Sequence, residues 1–330
     1  MKKGILSFIL LSVIITGSVF FYLIQPVNKE LETGIRVNIK SGTSVAGIAE
    51  TLYNHRLIRS RTLFRLLVRF QGMENSLKAG VYNINPGDNL FEIIDQLVKG
   101  RVATYRVTIP EGYTVEEIAE RLSALTEHSK EDFLRTARSS LGKDYLGNEN
   151  KTRYPLEGFL YPDTYIIPEG YQVEEIYELM LSVFEERWLE ELENNDLGYS
   201  PYEIMTIASL VEKEARLDKE KPIIAAVMYN RLKQDMFLQI DATVQYVLKE
   251  RKERILYSDL KVDSPYNTYL YPGLPPGPIA SPGAVSIEAA LNPAEVDYLF
   301  YFARDDGSHV FSRSYREHLR LQEEMRKANE

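Results

Sequence analysis

Apolar positions fall in three patterns along the chain, and the first is a continuous run. From Ile5 to Ile24 the stretch ILSFILLSVIITGSVFFYLI carries no charge. At a rise of 1.5 Å per residue, about 20 residues cover the roughly 30 Å of hydrocarbon in a bilayer. Lys2 and Lys3 precede the run and Gln25-Pro26 come after it, so the excess of positive charge predicts residues 1–4 inside and the chain from about residue 27 outside. Thr16-Gly17-Ser18 offers the small residues of a signal-peptide cleavage site. The run continues past them to Ile24, which favours an uncleaved single-pass anchor over 5–24.

The second pattern is a repeat. SGTSVAGIAETL from Ser41, PGDNLFEIIDQL from Pro86, PEGYTVEEIAERL from Pro110 and PEGYQVEEIYELM from Pro168 share one frame. Three residues after Gly42, Gly87, Gly112 or Gly170 comes an aliphatic residue (Val45, Leu90, Val115, Val173). Six after comes an isoleucine (Ile48, Ile93, Ile118, Ile176), and ten after comes Leu52, Leu97, Leu122 or Met180. Steps of three and four keep these positions on one helical face, and a preceding Gly suits a tight strand-to-helix turn. IRVNI (35–39), GVYNI (80–84) and TYRVTI (104–109) precede three of these turns as extended segments, predicting strand-turn-helix units. From Ile35 to Gly100 the arrangement resembles the LysM-like glycan-binding module, although any small α+β domain shows the same alternation.

The third pattern is mixed. Between Ser129 and Asn195 helical spacing is interrupted by YPLEGFLYPDTYIIPEG, whose Leu156-Glu157-Gly158 and Pro162-Asp163-Thr164 read as surface turns. Ser200-Pro201-Tyr202-Glu203 then starts a helix, with a capping Ser, Pro at the first position and Glu at the third. On it Ile204, Ile207, Ala208, Val211 and Ala215 form an apolar face, flanked on opposite sides by Glu212 and Glu214, while Lys213 points away. A carboxylic acid at such a boundary suits proton transfer to a leaving oxygen, because partial burial raises its pKa. Solvated boundary carboxylates would have the same spacing, and periodicity does not choose between the two.

Further on, LQIDATVQY alternates Gln239, Asp241, Thr243 and Gln245, as a cleft-lining strand or a first helical turn would. Between Tyr266 and Gly283 five Pro and three Gly make a stiff irregular loop. YLFYFARDDGSHVFS predicts a hairpin of core strands turning at Asp306-Gly307. His309 and His318 lack a metal-binding spacing and read as turn and helix residues.

Composition narrows the chemistry. The net charge of −9, from 39 basic and 48 acidic residues, gives no basic footprint for nucleic acid. Zero cysteines exclude disulfides, thiol nucleophiles, Cys-bound metals and an N-terminal lipidated Cys. No GxSxG elbow, phosphate-binding GxxxxGK loop or dinucleotide glycine fingerprint is present. The 22 Tyr suit stacking on sugars as well as filling cores.

The string IASLVEKEA, Ile207 to Ala215, is similar to the signature of the YceG-like (MltG-type) endolytic lytic transglycosylases, which act on peptidoglycan. LEGFLYPDTY (156–165), AAVMYNRLKQDMFLQIDATVQY (225–246), SPYNTYLYPGLPPGPIASPGA (264–284) and YFARDDGSHVFSRSYREH (301–318) stand in the order of that family. The resemblance covers most of the chain from about Ile35. It implies Glu212, the first Glu of E-K-E, as the catalytic acid and base. It further implies substrate contacts from Glu157, Tyr161 and Asp163, from Asn230, Gln239, Asp241 and Thr243, and from Tyr266, Asn267 and Thr268.

The expected fold class is α+β, arranged as anchor, linker (25–34), LysM-like subdomain (35–103), intermediate α/β region (104–195) and C-terminal mixed α/β catalytic region (196–330). The resemblance also implies cleavage of MurNAc-GlcNAc bonds in nascent peptidoglycan to 1,6-anhydro ends, without metal or cofactor. The setting would be a bacterial plasma membrane with the catalytic region outside, near peptidoglycan synthases. Two other classes stay open. A muramidase would pair Glu212 with a second acid such as Asp241, and a non-catalytic peptidoglycan-binding scaffold would leave Glu212 structural.

Overall fold

The computed structural model describes residues 2–28, 33–248, 252 and 255–328. Helix α1 (Lys2–Ile24) contains the apolar run. Among the described residues it is the helix long and apolar enough to cross a membrane, and none of Ile5–Ile24 is buried.

The chain's contacts divide it into two compact units: 1–105 with 166–171, and 106–165 with 172–330. In the first, strand β1 (Ile35–Ile39) leads into α2 (Val45–Asn54) and α3 (Arg61–Phe70), and then into β2 (Gly80–Ile84) and α4 (Leu90–Lys99). The two strands pair antiparallel with Val37 opposite Tyr82. Val37 and Ile39 face inward and meet Ile48, Leu52, Phe64, Val68, Ile93 and Leu97 in one core. That face is what strand alternation and the three-then-four helical steps bury together.

Strand β3 (Thr104–Thr108) leads into α5 (Val115–Ser123) and α6 (Lys130–Thr136); β4 (Thr164–Pro168), which pairs with β3, precedes α7 (Val173–Phe184). All four helices of the repeat begin at the expected aliphatic residue. Gly42, Gly112 and Gly170 take positive φ of 77°, 73° and 87°, a conformation in which a Cβ is strained. Gly87 is turned differently, its N–H donating to Asn85 Oδ1 at 2.8 Å.

The run read as surface turns is built otherwise. Tyr154 to Tyr161 is buried, and TYIIP, read as loop, is β4. Proline and glycine mark turns, and Pro162-Asp163-Thr164 does lie at the surface, but Leu156-Glu157-Gly158 is buried, with its backbone paired by bonds such as Phe159 N–H to Leu156 O at 3.1 Å.

A π turn (Glu185–Leu189) carries α7 into the short α8 (Glu190–Glu193). Helix α9 (Pro201–Glu214) starts as expected: Ser200 Oγ accepts from Glu203 N–H at 3.3 Å, and Glu203 accepts from Ser200 N–H at 2.8 Å. Two departures matter. Every residue from Ile204 to Val211 is buried, because α10 (Lys221–Lys233), α11 (Asp241–Val247) and α12 (Ala284–Leu291) pack around the helix rather than along one face. Ala215, expected on that face, caps the helix in an extended conformation with φ −84° and ψ 124°. Glu212 and Glu214 therefore stand in its last turn. The hairpin is β5 (Phe300–Ala303) with β6 (His309–Ser312), turning at Asp306-Gly307, and α13 (Tyr315–Ala328) comes after it.

Candidate active site

Glu212 and Glu214 leave α9 on opposite sides and enter different surroundings. Glu212 meets the start of α12. Its Oε2 accepts from Ser286 Oγ at 2.5 Å and from the Gly283 N–H at 3.3 Å, and lies 3.4 Å from Lys221 Nζ. Lys221 is itself only 6% exposed at its side chain and reaches Asp218 at 3.1 Å. A carboxylate here satisfies a buried ammonium and a helix N-terminus together. Glu111 lies beside it, its carboxyl packed where a Cβ on Gly283 would sit. Burial raises the Glu111 pKa and the Glu212 charge adds to the rise.

Glu214 faces an open cleft of ≈ 1820 Å³ within the second unit, of which Glu212 is not a lining residue. Its carboxylate accepts from Tyr301 Oη on β5 at 2.9 Å. Burial holds its pKa above the ordinary carboxylate range, and nearby Asp241 raises it further, against the lowering effects of the Tyr301 bond and His309. As the last residue of α9, Glu214 also stands at the negative end of the helix, which disfavours its ionised form. Asp241, the first residue of α11, lines the same cleft and accepts from Tyr269 Oη at 2.6 Å. Thus Asp241 neighbours Glu214.

Most of the other expected contacts have their polar atoms committed to the protein. Glu157 is 1% exposed and accepts from Val115 N–H at 2.9 Å and Tyr246 Oη at 2.8 Å. Burial pushes its pKa up to about 8. Tyr161 is buried, and Asp163 pairs with Arg187 at 2.6 Å. Asn230 donates to Val296 O and Tyr298 O. Asn267, fully buried, donates to Leu260 O and Val262 O. Thr243 and Thr268 join their hydroxyls at 3.0 Å and hold the start of α11. Tyr266 is buried against Tyr246, and Gln239 is exposed in a left-handed conformation with φ 52°. None of them lines the cleft, although Glu157 and Tyr266 pack against Tyr246, which does.

Groups that face the cleft include Lys213, Arg216, Gln245, Tyr246 and Tyr269. Gln245 stood in the alternating set, but the others carried no distinguishing signal beyond abundant Tyr and the charges flanking E-K-E. His309, read as a turn residue, is buried in β6 with its Nδ1 2.8 Å from Glu220.

An open cleft lined by acidic, basic and tyrosine side chains, with a partly shielded carboxyl on its wall, has the features of a site that binds a polar chain and moves a proton. The YceG-like family model matches residues 37–324, and the chain belongs to that family. Among its relatives, the endolytic murein transglycosylase of Bacillus subtilis (strain 168) is 36% identical over 94% of this chain and 91% of its own length. That of Streptococcus pneumoniae D39 is 29% identical over 92% of this chain, which spans 61% of that longer protein. The crystal structure of a yceG-like protein from Listeria monocytogenes superposes with a TM-score of 0.60 at 36% identity, covering 89% of this chain and all of the other.

Proposed function

We propose that this chain is a membrane-anchored endolytic transglycosylase that cuts peptidoglycan glycan strands, with Glu214 as its acid and base. The observation that carries the assignment of the acid is the contrast within one helical turn: Glu214 lines the cleft with a raised pKa, while Glu212 is bound by Lys221, Ser286 and Gly283. A proton donor must reach the glycosidic oxygen and be protonated when it does so. Glu214 lines the cleft, and its burial favours the protonated form. The family signature favours Glu212, and the two assignments are separable by substitution.

In this reading protonated Glu214 gives its proton to the leaving GlcNAc oxygen as the bond from C1 of MurNAc breaks. The MurNAc 6-hydroxyl attacks C1, its proton passes to Glu214, and a 1,6-anhydro ring closes. The acid is regenerated and no water is consumed. Asp241 beside Glu214 is the observation that favours a second reading, a hydrolase in which a carboxylate activates water. Purified Glu214→Gln and Glu212→Gln variants, assayed on uncrosslinked glycan strands by mass spectrometry, decide both points. Anhydro ends from the wild type and from Glu212→Gln but not Glu214→Gln support the proposal. The reverse loss transfers the role to Glu212, and reducing ends from the wild type support the hydrolase.

The anchor reading places α1 in the plasma membrane with the rest of the chain outside, supported by the apolar length of Ile5–Ile24 and the preceding lysines. We keep 25–34 as linker, 35–103 as a LysM-like glycan-docking subdomain, 104–195 as intermediate and 196–330 as catalytic. Deleting 35–103 should then weaken glycan binding more than bond cleavage. Cutting nascent strands at the membrane would end their elongation beside the synthases that make them.

A further inference from the structure

Helix α3 presents an unusual outer face. Phe64 and Val68 bury its inner side in the core of the first unit. On the outer side Arg61, Arg65 and Arg69 form one row at i, i+4 and i+8, with Leu66 and Phe70 in a second row beside it. Leu66 is 58% and Phe70 92% exposed. The helix RTLFRLLVRF has no acidic residue. Arg61 is paired with Glu50, whereas Arg65 and Arg69 have no ion-pair partner among the described residues. Adjacent rows of arginine and large apolar side chains are what a helix needs to lie in a bilayer interface, apolar groups among the acyl chains and guanidinium groups at the phosphates.

A separate observation ties this helix to the end of the anchor. Arg59, two residues before α3 begins, grips the end of the anchor. Its guanidinium donates to Pro26 O at 2.7 Å and Tyr22 Oη at 2.9 Å and lies 4.5 Å over the Tyr22 ring. Ile24 packs on the core of the same unit. The start of α3 is therefore tied to the point where the apolar run ends, the level at which tyrosine sits in a membrane interface.

We propose that the outer face of α3 docks on the anionic phospholipid surface from which the anchor emerges, with Leu66 and Phe70 inserted and Arg65 and Arg69 on headgroup phosphates. The proposal rests on the anchor reading. It makes the first unit a membrane-bound body rather than one swinging freely on a tether.

The chain has no cysteine, so one introduced thiol carries one label. Thr62→Cys, exposed on the same face, reports on docking; Asn38→Cys, on the solvent side of the β1–β2 pair, serves as control. The full-length protein is reconstituted in phosphatidylcholine vesicles with and without phosphatidylglycerol. Quenching of an environment-sensitive fluorophore by brominated acyl chains is then measured. Strong quenching at position 62 but not 38, dependent on phosphatidylglycerol, is expected. Arg65→Gln with Arg69→Gln should lower the docked-to-free ratio roughly 25-fold, about fivefold for each basic side chain at an anionic surface. Position 62 as unquenched as 38, in vesicles the chain has entered, overturns docking and leaves the anchor. Equal quenching in both vesicles overturns the part played by the arginines. A chain that does not float with vesicles overturns the anchor and the docking with it.

Discussion

Glu212 and Glu214 are two positions apart, about 200° around a helix, and that separation gives equal side chains unequal surroundings. Replacing Glu214 by Gln keeps the acceptor for Tyr301 but removes the transferable proton, so turnover should fall about 10²–10⁴-fold while the melting temperature stays near that of the wild type. Glu212→Gln should retain anhydro-end production but lower stability by about 1.5–3 kcal/mol, the usual value of hydrogen bonds to a charged group, measured by denaturant titration. The bond from Tyr301 Oη favours the ionised form of Glu214. Tyr301→Phe should therefore raise the Glu214 pKa further and move the basic limb of the kcat/KM profile to higher pH. A limb that stays in place would separate Glu214 from the titration that controls rate.

At the scale of elements, the walls of the cleft are tied together from behind. Glu157 accepts from the first N–H of α5 and from Tyr246 on α11, and Arg153 links Glu116 on α5 to the Tyr246 carbonyl. The Glu157 carboxyl, near an ordinary 4.5 when exposed, is pushed up to about 8 by burial. The folded protein thus holds a proton that the unfolded chain releases between these values. Stability from this group is full below the lower value and declines as pH rises toward the upper one, by at most about 1.4 kcal/mol per pH unit. Glu157→Gln cannot ionise, so its stability relative to the wild type should improve from pH 5 to pH 8; a constant difference in chemical denaturation would exclude the buried proton. Helix α9 depends on its cap in a simpler way. Ser200→Ala removes the acceptor for Glu203 N–H and should cost about 1 kcal/mol, lowering the melting temperature by a few degrees.

For the whole molecule, two separate cores suggest separate sensitivities. Phe64 is fully buried in the first core, and Phe64→Ala should destabilise that unit by about 3–5 kcal/mol. Calorimetry should show the loss in one component of the unfolding profile, leaving the component of the second unit in place. The amino-acid sequence by itself determined the anchor-length helix, the start of every helix in the glycine repeat, the β1 and β2 strands and the capped start of α9. These depend on spacings of a few residues, on a side chain reaching its own backbone, or on a run of apolar groups, and local periodicity records all three. Tertiary structure decided that 154–161 is buried despite its turn-forming residues, that α9 is enclosed on nearly every side, and that Thr243, Asn230 and Asn267 spend their polar atoms on the protein. It also decided which carboxylate of E-K-E faces the cleft, because Ser286, Lys221, Tyr301 and Asp241 come from distant segments, and local spacing carries no record of which side of α9 each will occupy.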